Sequence, residues 1–368
     1  MSDGIRTLSW RRKLLFSVFT TVVLFALCEG AARVYLRFGG ADEAPIRIGF
    51  DVDAAVEIDR RNVLYRADDA CFFRLRPNIH IPEHITETLF DIRTNSFGMR
   101  SPEISREKPP GALRVLCLGD SCTFGTGAGQ NDTFPAQLER ELRGRLEGRA
   151  VEVINAGVPG FSSFQARMLL ESEGWSFSPD AVVLTVGCND RKPARPDEKR
   201  VYDASKFLGD REYHALAQRR NVLALTRVIG RWLAPRGLSA EAELAAQQSG
   251  KRRVPVPEYR EELIHVVEAC RRRGVVPVIV VWALYFEADP STIRGRPLSD
   301  HNRSFAEYQA MARQVAREKD VPLADVPKVV AGTRGLYADG VHLNATGYGL
   351  VAREIADVLM PKLQRPAD

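Results

Sequence analysis

The segment Arg114-Val115-Leu116-Cys117-Leu118-Gly119-Asp120-Ser121-Cys122-Thr123-Phe124-Gly125 decides the fold. Val115 to Leu118 is a short apolar run of the kind made by a strand buried on both faces. Gly119-Asp120 ends the run, and a serine follows where the strand would turn toward a helix. In open α/β sheets ligands bind beyond the carboxyl ends of the strands. Ser121 therefore stands where a reacting side chain would stand, and the remaining question is whether other segments deliver partners to the same rim.

The chain around this segment alternates. Strands are predicted near 115–118, 151–154, 181–186, 275–281 and 321–325, and helices near 134–147, 163–174, 258–273, 302–318 and 345–360. The helix at 258–273 shows the logic: Pro257 opens it, Gly274 ends it, and Tyr259, Leu263, Val266, Val267 and Cys270 share one face. Such alternation implies an α/β fold with a parallel sheet covered on both faces, and five strands is the size of a flavodoxin-like sheet. Pro109-Pro110-Gly111 marks the boundary before the first strong strand, so the main domain is expected over 111–368. Residues 191–256 break the rhythm with a charged, Pro-containing opening and an amphipathic stretch of Val222, Leu223, Leu225, Val228, Ile229, Trp232 and Leu233. This is an insertion at the carboxyl end of the third strand, either a substrate-selecting lid or a helical decoration.

A serine hydroxyl is a poor nucleophile at neutral pH and needs a base, with a third group to orient that base. Asp339-Gly340-Val341-His342 supplies both on one short loop before the last helix. Acyl transfer also needs donors aimed at the developing oxyanion. The Ser121 backbone amide, the Asn189 side chain in Val186-Gly187-Cys188-Asn189-Asp190, and the Gly160 amide in Asn155-Ala156-Gly157-Val158-Pro159-Gly160 are the candidates. Each has a bland alternative taken alone: a helix cap for Ser121, a turn glycine for Gly160, chance for an Asp-x-x-His. Convergence of all four pieces on one rim favours chemistry.

On these residues the chain resembles the SGNH/GDSL hydrolase family, in its membrane-anchored bacterial form. The matching motifs are Gly119-Asp120-Ser121, Gly160, Gly187 to Asp190, and Asp339 to His342, with Asn95-Ser96-Phe97-Gly98-Met99-Arg100 as a lead-in. The resemblance spans roughly 114–360 and implies a three-layer α/β/α sandwich. It also implies a catalytic triad of Ser121, His342 and Asp339, an oxyanion hole of Ser121, Gly160 and Asn189, and no cofactor or metal. Cys122 departs from the Leu, Ile or Tyr often found after the serine, which bears on packing. The expected function is an esterase acting on an acyl ester, with a cell-envelope glycan or a lipid as substrate. An O-acyltransferase using the same triad and a non-catalytic envelope binding protein are the alternatives. Two other motifs fail on residues. An α/β-hydrolase elbow needs glycine where Thr123 stands, and no lysine follows Gly125-Thr126-Gly127-Ala128-Gly129 as a phosphate loop requires.

The N-terminus indicates location. Arg11-Arg12-Lys13 precedes the uncharged run Leu14 to Cys28, and extension to Leu36 gives a spanning length, with Glu29 and Arg33 one helical turn apart. Residues 1–37 are read as a cytoplasmic tip and transmembrane helix, which leaves the catalytic domain extracytoplasmic. A cleaved signal peptide has nearly the same grammar and would yield a secreted protein. Residues 38–110 lack a helical period and read as a juxtamembrane segment packed irregularly on the main domain. The net charge of +5, from 52 basic and 47 acidic residues, is small and scattered, so nucleic-acid binding is not indicated. Six cysteines form no Cys-x-x-Cys pair, which argues against structural zinc. Cys122 and Cys188 each sit beside a candidate site residue and so could approach one another. His80 and His84 have a helical metal spacing, but Pro82 between them favours surface histidines.

Overall fold

The computed structural model describes residues 9–38, 64–82, 90–196, 207–220, 225, 249–284, 292–293, 296–330 and 333–363. Helix α1 spans Trp10–Phe38, and its stretch Trp10–Tyr35 is long and apolar enough to cross a membrane by length and composition. At 1.5 Å per residue its 29 residues extend about 43 Å, more than a hydrocarbon core requires. Its large apolar side chains, Phe16, Phe19 and Leu24 among them, are exposed on the protein itself. Arg33 Nη2 lies 2.9 Å from Glu29 Oε1, the pairing expected one turn apart, and Glu29 Oε2 also accepts from the Leu225 N–H at 2.9 Å. Leu225 is the only residue of the amphipathic 222–233 stretch among the described residues.

The main sheet is built from β1 (Leu113–Gly119), β2 (Val151–Gly157), β3 (Ala181–Thr185), β4 (Val276–Val281) and β5 (Leu323–Asp325). All neighbours are parallel, in the order β5-β4-β3-β1-β2. Because strand side chains alternate, β1 sends Leu116 and Leu118 to one face and Val115 and Cys117 to the other. Both faces are apolar, so both are covered, and this produces the three layers.

One face carries α4 (Ser163–Ser172), α6 (Val256–Arg271) and much of α7 (Leu298–Glu318). Leu169, Leu263, Val267 and Val315 pack there. The other carries α3 (Phe134–Arg145), α8 (Val326–Val330) and α9 (Ala345–Leu363), through Leu138, Leu142, Val351, Ile355 and Leu359. At roughly 1.5–3 kcal/mol per fully buried large aliphatic side chain, these two interfaces supply the main drive to fold. Helix α4 begins with a capping box, in which Ser162 and Gln165 satisfy each other's backbone N–H groups. Two further helices complete the numbering: α2 (Ser121–Phe124), directly after β1, and α5 (Asp210–Arg220), within the insertion.

Several boundaries differ from the sequence expectation. Helix α6 starts at Val256 with Pro257 inside its first turn, and α7 starts at Leu298, four residues before the periodic pattern becomes clear. Asp300 and His301 thus sit within α7. The segment before the main domain forms two short antiparallel pairs, Tyr65–Asp68 with Phe72–Leu75 and His80–Ile81 with Ile92–Arg93. Their Phe73, Leu75, Ile81 and Ile92 join the core on the α4 face. His80 is exposed and bonds Asp91 at 3.0 Å, while His84 lies outside the described residues.

Candidate active site

Ser121 opens α2 at the carboxyl end of β1. Asp120 caps this turn by accepting from the Cys122 N–H at 2.9 Å, and Gly125 closes it by donating to the Ser121 carbonyl at 2.9 Å. The turn fits only because Gly119 has no side chain. A Cβ there would come within 2.2 Å of the Thr185 carbonyl oxygen on β3. Arg100, 3% exposed, braces the turn from outside, with Nη1 donating to the Phe124 and Gly125 carbonyls at 3.1 and 2.9 Å and Nη2 to Ala128 at 2.9 Å. The lead-in 95–100 thus has a mechanical role that its sequence did not disclose.

His342 Nε2 lies 2.8 Å from Ser121 Oγ, and His342 Nδ1 lies 2.6 Å from Asp339 Oδ2. The other carboxylate oxygen, Asp339 Oδ1, accepts the backbone N–H groups of Val341 and His342, each at 2.6 Å. Partial desolvation pushes the half-exposed Asp339 carboxyl up, but the hydrogen bond and charge of His342 together with these N–H groups hold it down to about 2. The loop is itself fixed. Trp282 Nε1, just past β4, donates to the Val341 carbonyl at 2.9 Å, and Asn344 Oδ1 caps α9 through the Gly347 N–H at 3.1 Å.

Gly160 stands in a turn closed by Phe161 N–H to the Val158 carbonyl at 3.1 Å, at φ +85°, a left-handed value that glycine adopts without strain. Val158 N–H bonds the Gly119 carbonyl at 3.0 Å, which draws this turn beside the serine. Asn189 Nδ2 donates to Phe161 O at 2.9 Å and to Asp120 Oδ2 at 3.2 Å. Ser121, Asn189 and the Gly160 turn are therefore bonded together around Asp120. For the Asn189 amide to reach an oxyanion, its longer bond to Asp120 must be shared or exchanged.

Behind Asn189, the buried Asp190 carboxylate accepts from Ser163 N–H at 3.0 Å, from Ser163 Oγ, and from Gly187 N–H at 3.0 Å. Burial pushes Asp190 up to about 7 despite these bonds. Asp120 is raised by burial as well. Sequence reading treated Asp120 and Asp190 only as motif letters. In space Asp120 links the nucleophile turn to Asn189, and Asp190 links Asn189's loop to α4.

The ligand atoms of Asp120, Cys122 and Cys188 lie within 4.8 Å of one another, the one such group close enough to share a metal ion among the described residues. Both cysteines are free thiols, and burial raises Cys122 well above its ordinary range. A metal needs the deprotonated thiolate, so this environment opposes ligation at neutral pH.

A family model described as the GDSL-like lipase/acylhydrolase family matches residues 117–350. The chain belongs to that family and is an ester-cleaving hydrolase. It is similar to the solved lipase/acylhydrolase from Enterococcus faecalis, at 20% identity over 70% of this chain and 99% of the other, with a TM-score of 0.42. It is also similar to a catalytic mutant of an acetylxylan esterase from Geobacillus stearothermophilus, at 17% identity over 69% and 96% of the two chains, with a TM-score of 0.42. No curated protein sequence matches the chain.

Proposed function

We propose that the protein is a serine esterase of the cell envelope, in which Ser121, His342 and Asp339 act as a triad. The observation that carries the reading is the continuous hydrogen-bonded path from Ser121 Oγ through His342 to Asp339, at 2.8 and 2.6 Å. His342 takes the serine proton as Oγ attacks the acyl carbon and returns it to the departing alkoxide, while Asp339 holds the ring and balances the imidazolium charge. The developing oxyanion meets the Ser121 and Gly160 N–H groups and the Asn189 amide. Water, deprotonated by His342, then attacks the acyl-enzyme, releases the acid and restores the serine.

Location supports the substrate class. Arg11, Arg12 and Lys13 stand in the first turn of α1, ahead of its uncharged stretch, a charge bias that favours keeping that end in the cytoplasm with the catalytic domain outward. An enzyme tethered there meets acyl esters of envelope glycans and of lipids. Fluorophosphonate labelling of the full chain in detergent, read by peptide mass spectrometry, tests the nucleophile. An adduct on Ser121, absent in Ser121→Ala together with hydrolysis of 4-nitrophenyl acetate, supports the reading. Undiminished hydrolysis in a folded Ser121→Ala protein refutes it. Acetylated glycans and short-chain acyl lipids, assayed side by side, then rank the substrates. Acyl transfer to an added sugar in place of water would mark the enzyme as a transferase.

A further inference from the structure

The insertion after β3 reaches the turn that carries Gly160 through a buried ion pair. Arg253 Nη2 and Asp210 Oδ2 lie 2.9 Å apart, and both side chains are fully buried. Asp210 opens α5 within the insertion and Arg253 lies near the insertion's end, and the Asp210 N–H also donates to the Arg253 carbonyl at 2.7 Å. Together they grip the turn that carries Gly160. Arg253 Nη1 donates to the Gly160 carbonyl at 2.9 Å, and Nη2 bonds the Gln165 side chain. Asp210 Oδ2 accepts from Ser162 Oγ at 2.6 Å.

This grip bears on one specific ambiguity. A turn with proline then glycine at its centre can adopt type I or type II geometry, which differ mainly by rotation of the central peptide. That peptide carries the Gly160 N–H. The observed φ of +85° at Gly160 is the type II form, and the flipped form would aim its N–H elsewhere. Proline at the first central position and glycine at the second favour the observed form locally, and tertiary contacts add to that preference. A guanidinium bonded to the Gly160 carbonyl on one side, and Asn189 bonded to the Phe161 carbonyl on the other, clamp the residues that follow the central peptide.

We infer that Arg253, held by Asp210, is a positioning residue for the oxyanion donor at Gly160, so that the insertion sets the geometry of catalysis through this pair. The inference rests on the esterase reading above, with Gly160 as a donor. Arg253 touches no reacting atom and acts through the turn. Replacing a buried ion pair by apolar residues of similar size is often neutral in itself, but here it also strips partners from the Gly160 carbonyl, Gln165 and Ser162, so some loss of stability accompanies it. A purely structural role would lower stability and leave the folded fraction with wild-type turnover, whereas a positioning role also lowers the turnover of folded protein.

The test uses the full chain in detergent, with 4-nitrophenyl acetate as substrate and a boronic acid as mimic of the tetrahedral oxyanion. Three variants are compared: Ser121→Ala, the double variant Arg253→Met/Asp210→Leu, and Arg253→Lys. The double variant removes both charges together. Arg253→Lys keeps a cation beside Asp210 but lacks the fork that bonds Asp210 and the Gly160 carbonyl at once. Misplacement of a catalytic group by about 1 Å can lower rate about 100-fold. The expected result is a kcat roughly 10- to 100-fold below wild type, KM within a few-fold, and weaker boronate binding in both Arg253 variants. Wild-type kcat and boronate affinity in either folded Arg253 variant, with Ser121→Ala inactive, overturn this inference and leave the esterase reading standing. Activity that survives Ser121→Ala overturns the esterase reading and this inference with it. Should the double variant not fold, Arg253→Lys alone decides.

Discussion

Trp282 Nε1 donates to the carbonyl of Val341 at 2.9 Å, and this bond fastens the loop of Asp339 and His342 to the carboxyl end of β4. The indole is 1% exposed and packs near Phe134 and Tyr348, with ring centroids 6.4 and 6.1 Å away. A residue just past the end of one strand thus anchors the loop whose histidine meets the serine just past the end of another.

Trp282→Phe keeps an aromatic ring but removes the donor and leaves the partly buried Val341 carbonyl short of a partner. That loss is worth about 1–3 kcal/mol. We expect a kcat/KM lower by about ten-fold, the equivalent of roughly 1.4 kcal/mol, with a modest fall in Tm. Steady-state kinetics and a thermal melt on the same preparation check both. An unchanged kcat/KM would show that the loop is held without the indole.

Asp339 and Asp190 should give opposite pH signatures. The folded carboxyl of Asp339 titrates at about 2, below its ordinary 3.8, so the unfolded chain binds more protons in that window. Its contribution is present above pH 4 and is lost as pH falls toward 2. Asp190 is raised to about 7, so the folded chain binds more protons between pH 4 and 7, and its contribution to stability declines as pH rises through that range. Unfolding midpoints measured against pH should flatten below pH 4 in Asp339→Asn and between pH 4 and 7 in Asp190→Asn. Asp339→Asn should also lower kcat by roughly three to four orders of magnitude through the wrong histidine tautomer.

Arg100 serves stability first. Removing its guanidinium in Arg100→Met leaves the carbonyls of Phe124, Gly125 and Ala128 without that donor in a buried turn. Phe124 keeps the Asn155 side-chain amide and Gly125 keeps the Ala128 N–H, so the Ala128 carbonyl is the group left short and the loss should be about 1–3 kcal/mol. Urea unfolding should show a lower midpoint at unchanged m-value. A midpoint equal to wild type would mean that water replaces the guanidinium.

The thiols should be silent in the native protein. Cys71, Cys117, Cys122, Cys188 and Cys270 are all buried, and burial pushes Cys270 up to about 12. A disulfide-exchange reagent should modify none of these five until denaturant is added, whereupon all five react. Fast native-state labelling of Cys122 would show that the pocket opens on that side.

Much of the site was legible because its parts are local patterns. Val115 to Leu118 and Ala181 to Val186 are largely apolar runs, and with Val151 to Ile154, interrupted by Glu152, their length and spacing point to a parallel sheet covered on both faces. The residues just after them, Ser121, Gly160 and Asn189, inherit a common rim from that topology. Asp339 and His342 could be paired on spacing alone, since three residues in one loop keep their side chains close. The helix at Trp10–Phe38 followed from composition.

Only the tertiary structure decided how distant segments meet. Ser121 and His342 are 221 residues apart and their side chains meet at 2.8 Å, while the loops that carry them are held by Trp282 and Tyr348, which no local pattern marks. Asn189's side-chain amide is shared between Asp120 and Phe161, a competition invisible until the turn around Gly160 is placed. Arg253 and Asp210 read as ordinary charges in an irregular insertion, yet they close a fully buried pair against the Gly160 turn. Periodicity reports which face of an element is buried, because that is set by neighbours along the chain. The partner of a buried charge is set by whatever the folded chain brings alongside it, and that information exists only in three dimensions.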